Sequence, residues 1–173
     1  MAWRKVADAL VHSALSVYPI PFLLLQAAIE GMADEPSILA PGRSWYLNAP
    51  ERKIVADSLV NWARTAVVPQ LTTADAADFS ESLTNKTAGL LQRTFRHRFE
   101  ALLDQHGVTY DPGKLATFVQ RRNATHGAFD VRPGDYDIWS YAASCIEQVL
   151  LRRLGYHGEF IDRSTRDQAT RTM

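Results

Sequence analysis

The stretch Leu83-Thr-Asn-Lys-Thr-Ala-Gly-Leu-Leu-Gln-Arg-Thr-Phe-Arg-His-Arg-Phe-Glu-Ala-Leu-Leu103 decides the fold class. Its less polar positions are Leu83, Thr87, Leu90, Leu91, Phe95, Phe99, Leu102 and Leu103. Steps of three and four place them on one helical face, and no strand has that period. Working outward, Tyr141, Cys145, Ile146, Val149, Leu150 and Leu154 repeat the pattern, and Ile54, Val55, Leu59, Trp62 and Ala66 repeat it more weakly. Between these runs Gly and Pro cluster at 19–21, 36–42, 107–113 and 127–134. The expectation is an all-α bundle of five to six helices, near 3–17, 21–32, 50–67, 75–106, 112–126 and 137–154. One helical domain is expected over 1–162, followed by a polar tail over 163–173. The segment 80–85 is the expected weak point of the fourth helix, and 34–49, with Trp45 and Tyr46, is the longest irregular stretch.

Local chemistry marks the helix ends. Asn48 with Glu51 three residues on has the form of a capping box, with Pro50 in the first turn. Asp111-Pro112 can open the helix that carries Leu115, Phe118 and Val119. Gly107, Gly127 and Gly155 each follow a helical run, as C-terminal glycines do. Asp135 or Asp137 is the expected cap of the last long helix.

Composition narrows the function classes. The chain has 173 residues, with 19 basic and 19 acidic side chains and therefore no net charge. This removes any argument from overall charge for DNA binding, and leaves only local basic patches. One cysteine, Cys145, excludes an internal disulfide and a cysteine-based zinc site. The most apolar run, Phe22 to Ile29, is too short to span a bilayer. The N-terminus, with Asp8 and His12, makes a poor signal peptide. A soluble, cytoplasmic chain is expected. His12, His97, His106, His126 and His157 form no His-x-x-x-His pair. No Gly-rich phosphate loop or Gly-x-Ser-x-Gly elbow is present, so no metal or cofactor is expected.

What remains is basic: 15 of the 19 cations are Arg. Guanidinium groups bind phosphate in a planar fork, which suits a phosphate-bearing partner, although a GC-rich genome produces the same bias. The run Lys86 to Arg98 holds Arg93, Arg96 and His97 without an acid, and reads first as a solvated helix face. The cluster Gln120-Arg-Arg-Asn-Ala-Thr-His-Gly127 stands out. With Leu115 at zero on a helical wheel, Phe118 lies near 300°, Arg122 near 340°, His126 near 20° and Val119 near 40°, at about 100° per residue. Arg122 and His126 thus continue an apolar stripe, where a charged group needs a partner. That arrangement fits a site, a buried hydrogen-bond network or an interface.

Arg121-x-x-x-x-His126 resembles the Arg-x(4–6)-His motif of HEPN domains. Phe22-Leu-Leu-Leu-Gln-Ala-Ala-Ile-Glu30 is similar to the early helix of the ApeA-like branch. Leu150-Leu-Arg-Arg-Leu-Gly-Tyr156-His-Gly158-Glu-Phe160 is similar to that branch's closing segment. The resemblance covers residues 20–162. It implies a metal-independent endoribonuclease, in antiphage defence or as a toxin. RNA is the implied substrate, and the site is shared across a homodimer. An antitoxin or sensor protein would be a further partner. Arg121 and His126 would be catalytic, and Arg122 and Asn123 would bind substrate. The alternative is a non-catalytic HEPN module that binds RNA or a protein. Spacing assigns the motif to Arg121, whereas the wheel puts Arg122 nearer to His126. Arg152 and His157 repeat the spacing but straddle Gly155, and read as surface or tail contacts. Glu30 is expected to pair with a neighbouring helix.

Overall fold

The structure, a computed structural model, describes residues 2–15, 20–125, 132–162 and 170–172. In chain order the elements are α1 (Ala2–Leu15), α2 (Ile20–Asp34), α3 (Pro41–Ser44), α4 (Ala49–Ala66), a 3-10 turn (Val68–Gln70), α5 (Thr73–Leu90), α6 (Phe95–Gln105), α7 (Pro112–Thr125), α8 (Asp135–Arg153), β1 (Glu159–Ile161) and β2 (Thr170–Thr172). The class is all-α. The one sheet among the described residues is the short antiparallel ribbon of β1 and β2, with Phe160 opposite Arg171. Part of the expected polar tail is therefore paired strand. No helix among the described residues is long and apolar enough to cross a membrane.

The chain divides into two compact units, one of residues 1–39 with 95–173 and the other of residues 40–94. The first holds the large core. Leu25, Ile29 and Met32 of α2, Phe99, Leu102 and Leu103 of α6, Leu115 and Phe118 of α7, and Ile146 and Val149 of α8 are all fully buried. Phe99 and Phe118 meet edge-on with ring centroids 6.0 Å apart. Each such side chain contributes about 1.5–3 kcal/mol of burial energy, so this cluster holds the four helices together. In the second unit α4 packs on α5. Its N-terminus carries the complete capping box: Asn48 Oδ1 accepts from Glu51 N at 3.0 Å, and Glu51 Oε2 accepts from Asn48 N at 3.1 Å.

Three expectations are corrected. Eight α-helices are described rather than five to six, one of them α3, a single turn opened by Pro41 within the stretch 34–49 expected to be irregular. The helix expected over 75–106 is two helices, broken at 91–94 rather than at 80–85. There the backbone finds other partners: Tyr46 N donates to Leu91 O at 3.2 Å, and Arg93 N donates to Ser44 O at 2.9 Å. Gly89, just before the break, is a weak helix former. The four-residue gap nearly preserves the helical phase from Leu91 to Phe95, so periodicity does not reveal it. Asp135 does not cap α8. The capping position is Gly134, at φ 87°, a conformation that favours glycine. Gly107 and Gly155 hold positive φ as expected of C-terminal glycines. Gly127 lies outside the described residues.

Candidate functional site

α7 is set in phase by its first turn. Asp111 Oδ1 accepts from Gly113 N at 2.7 Å and from Lys114 N at 3.1 Å, which satisfies amides that the helix leaves open. Leu115 and Phe118 then enter the core. One turn later come Arg121, at about 240° on the same wheel, and Arg122, at about 340°. They straddle the Phe118 direction and reach different helices.

Arg121 turns to α8. Its Nε donates to Asp135 Oδ1 at 2.7 Å and its Nη2 donates to Asp135 Oδ2 at 2.5 Å. This is a bidentate pair, the strongest geometry available to these side chains. Both side chains are buried, 10% and 6% exposed. Asp135 Oδ2 also accepts from Arg132 N at 2.9 Å, which ties the turn before α8 into the pair.

Arg122 turns to α2. Its Nη2 donates to Glu30 Oε1, and its Nη1 donates to Asn123 Oδ1 at 2.9 Å. Its guanidinium carbon sits 4.5 Å from the centroid of the Phe95 ring, a cation–π contact on a ring that also packs against Phe118. The Arg122 side chain is 19% exposed and that of Glu30 is 32% exposed, so solvent reaches this pair. Asn123 is exposed.

Of the residues singled out in the sequence, Arg121, Arg122 and Asn123 stand side by side on α7, and Glu30 joins Arg122 from a neighbouring helix as expected. His126 lies outside the described residues. Arg121, the residue favoured by spacing, has its fork engaged with a buried carboxylate. Arg122, the residue favoured by the wheel, keeps an edge toward solvent. Sequence reasoning missed two participants, Asp135 and Phe95. Asp135 was read as a cap because it stands at a helix start, and nothing local signals a partner 14 residues back. Phe95 was read as core, which it is, but its ring also carries Arg122.

Chemically, the arrangement presents one guanidinium that a phosphate could reach, held between a carboxylate and an aromatic face. Bringing a phosphate there requires Arg122 to exchange Glu30 for the new anion. Among the described residues no group of three His, Cys, Asp or Glu side chains could hold a metal ion. Comparison with protein-family models, curated proteins and solved structures returned no match.

Proposed function

We propose that this chain is a HEPN-type endoribonuclease that cuts RNA without a metal, at the C-terminal end of α7. The single observation that carries the reading is Arg122. It is a half-buried guanidinium, fixed by Glu30 and Phe95 on the stripe that the sequence extends toward His126. In the proposed reaction the RNA 2′-oxygen attacks the adjacent phosphorus as the bond to the 5′-oxygen breaks. The products are a 2′,3′-cyclic phosphate and a 5′-hydroxyl. Histidine as a residue type can take or give a proton at neutral pH, so His126 serves as base for the 2′-hydroxyl proton or as acid for the leaving 5′-oxygen. The Arg122 fork stabilises charge on the phosphorane. DNA has no 2′-hydroxyl and is not cut. Arg121 holds α7 to α8 and acts as a positioning residue, although motif spacing gives it the catalytic place. Two copies of the chain would complete the site, and a role in antiphage defence or as a toxin follows from the same family resemblance.

The test is cleavage of mixed-sequence RNA in EDTA by the wild type, His126→Ala, Arg121→Ala and Arg122→Ala, with DNA of the same sequence as control. His126→Ala should lose about 10²–10⁴-fold in rate while still binding RNA. Full activity in His126→Ala and in both arginine variants would overturn the ribonuclease reading. A second reading, a non-catalytic module that binds RNA or a protein, is favoured by one observation. Both arginines are already engaged with carboxylates. RNA binding without cleavage would establish it.

A further inference from the structure

Two stretches far apart in the sequence meet in the unit of residues 40–94. An antiparallel bridge pairs Trp45 with Gln92, and the bonds from Tyr46 N to Leu91 O and from Arg93 N to Ser44 O flank it. The bridge joins the segment before α4 to the segment after α5. Alternate residues of an extended chain share a face, so Tyr46 and Arg93 lie on one face of the bridge and Trp45 on the other. Each of these rings carries a cation. The guanidinium carbon of Arg93 sits 4.9 Å from the Tyr46 ring centroid, and that of Arg52 sits 4.2 Å from the Trp45 centroid. Arg52 Nη1 also donates to Leu47 O at 2.9 Å. Tyr46 is 52% exposed.

The charges of this unit are segregated along it. Arg43, Arg52, Lys53, Lys86 and Arg93 stand at the end that carries the bridge. Of these, Arg52, Lys86 and Arg93 make no ion pair among the described residues. The acids of the unit are Glu51, Asp57, Asp75, Asp78 and Glu81. Two of them lie near the bridge end and are engaged: Glu51 accepts from Asn48 N in the capping box, and Asp57 holds Lys53 at 2.6 Å. The other three precede Leu90 by nine residues or more, which is about 14 Å or more along α5. The bridge end is therefore positive and the opposite end negative. Arg121 and Arg122 each hold a carboxylate, whereas Arg52 and Arg93 hold rings. A cation–π contact engages the charge and plane of a guanidinium and leaves its N–H fork for an anion.

We infer that the bridge end of this unit binds single-stranded nucleic acid, with one base stacked on Tyr46 and the adjoining phosphate on the Arg93 fork. Arg52 and Lys86 add charge along the path of the strand. An exposed aromatic ring beside a guanidinium serves both parts of a nucleotide, the flat base and the anionic phosphate. A duplex keeps its base faces inside its own stack and leaves the Tyr46 ring unused. An acidic peptide would take the cations but has no planar group for the ring. Neither contact reads the sugar, so DNA and RNA strands fit alike. The inference stands whether or not the chain cuts RNA.

The experiment is fluorescence anisotropy of a labelled mixed-sequence oligodeoxynucleotide titrated with the full chain, across salt from about 50 to 200 mM. DNA has no 2′-hydroxyl, so binding is read without cleavage. The single strand should bind at micromolar concentration, and the duplex of the same sequence about fivefold or more weakly, because it offers no base to stack. Tyr46→Leu should weaken single-strand binding about tenfold, and Tyr46→Phe, which keeps the ring, should not. Arg93→Gln should weaken it and reduce the salt slope by about 0.7, the share of one phosphate contact in a single strand. Circular dichroism checks that the variants fold. If Tyr46→Leu does not, the Arg93→Gln slope and the duplex comparison still decide. Absence of binding, a duplex or a polyglutamate peptide binding as tightly as the single strand, or unchanged binding in folded Tyr46→Leu and Arg93→Gln would each overturn the inference. So would binding that Arg122→Ala abolishes and these two variants leave intact. RNA left uncut by a chain that binds the DNA strand as described would overturn the ribonuclease reading alone, so the two fail separately.

Discussion

Arg121 and Arg122 are neighbours in sequence and opposites in environment. Arg121 gives a two-pronged hydrogen bond to a carboxylate that is itself buried, and the pair joins α7 to α8. Arg122 reaches across to α2, rests on an aromatic ring and stays open to solvent. One helical step of about 100° separates a side chain that the fold buries from one that solvent reaches. The physical difference is desolvation. Removing water from both members of a pair makes breaking it expensive, because the orphaned charge cannot return to water. Where water already reaches the pair, exchanging one anion for another costs little.

The largest expected effect tests the buried member. Arg121→Ala and Asp135→Ala should each lose about 3–5 kcal/mol of unfolding free energy, since each strands the other's charge. Urea unfolding followed by circular dichroism measures it. The double variant Arg121→Met with Asp135→Leu should recover most of that loss, because two apolar groups need no partner. A loss below about 1 kcal/mol in the single variants would mean that water reaches this pair too, and the contrast would collapse.

Arg122→Ala comes next. Its stability loss should stay near 1 kcal/mol, as for partly exposed pairs. Its cleavage rate should fall by about 10²–10³, as when a donor aimed at developing charge is removed. Arg122→Lys should recover part of the rate, since the charge returns without the fork. Single-turnover rates on proteins shown to be folded separate this from instability. A larger rate loss in folded Arg121→Ala than in Arg122→Ala would invert the two roles and restore the assignment made on spacing.

Glu30→Gln sharpens the comparison from the other side. It removes the anion that competes with a phosphate for Arg122. Stability should drop by about 1 kcal/mol or less, and RNA affinity should rise severalfold, with a steeper salt dependence. Filter binding across a salt series would read both. A variant that folds and binds RNA yet does not cleave it would make Glu30 a participant in the chemistry rather than the holder of Arg122.

How much of this was legible beforehand follows from which forces are local. The capping box at Asn48 and Glu51 and the Asp111-Pro112 start are local, and the structure has them where the residues indicate. Helical periodicity located the ends of α1, α2, α4, α7 and α8 to within two or three residues, but not the single turn of α3. It could not show the break between α5 and α6, because the backbone bonds of Leu91 and Arg93 go to Ser44 and Tyr46, more than forty residues earlier. The arginine cluster was legible as a place of interest, and the wheel put Arg122 on the apolar stripe, where it does lie over Phe95. The Arg121–Asp135 pair was not legible. It depends on how α8 enters after Gly134, and an acid in a first turn has an obvious reading as a cap.

Asn123→Ala should show the smallest effect, and it marks where the influence of Arg122 ends. Asn123 is exposed, and its Oδ1 accepts from Arg122 Nη1 at 2.9 Å. Adjacent residues on a helix do not face each other, so this bond is made by the far end of the long arginine side chain. Losing it removes a solvent-exposed hydrogen bond worth about 0.5–1 kcal/mol. Alanine returns roughly the same amount, since it exceeds asparagine in helix propensity by about 0.5–0.7 kcal/mol. The net stability change should therefore lie within about 0.5 kcal/mol of zero. Arg122 keeps Glu30 and Phe95 as its other restraints, so the guanidinium stays in place and cleavage should fall only severalfold. A rate loss equal to that of Arg122→Ala, in a variant of unchanged stability, would place Asn123 against the substrate itself. The contrast on α7 would then lie between the buried Arg121 and an exposed pair, Arg122 with Asn123, acting as one unit.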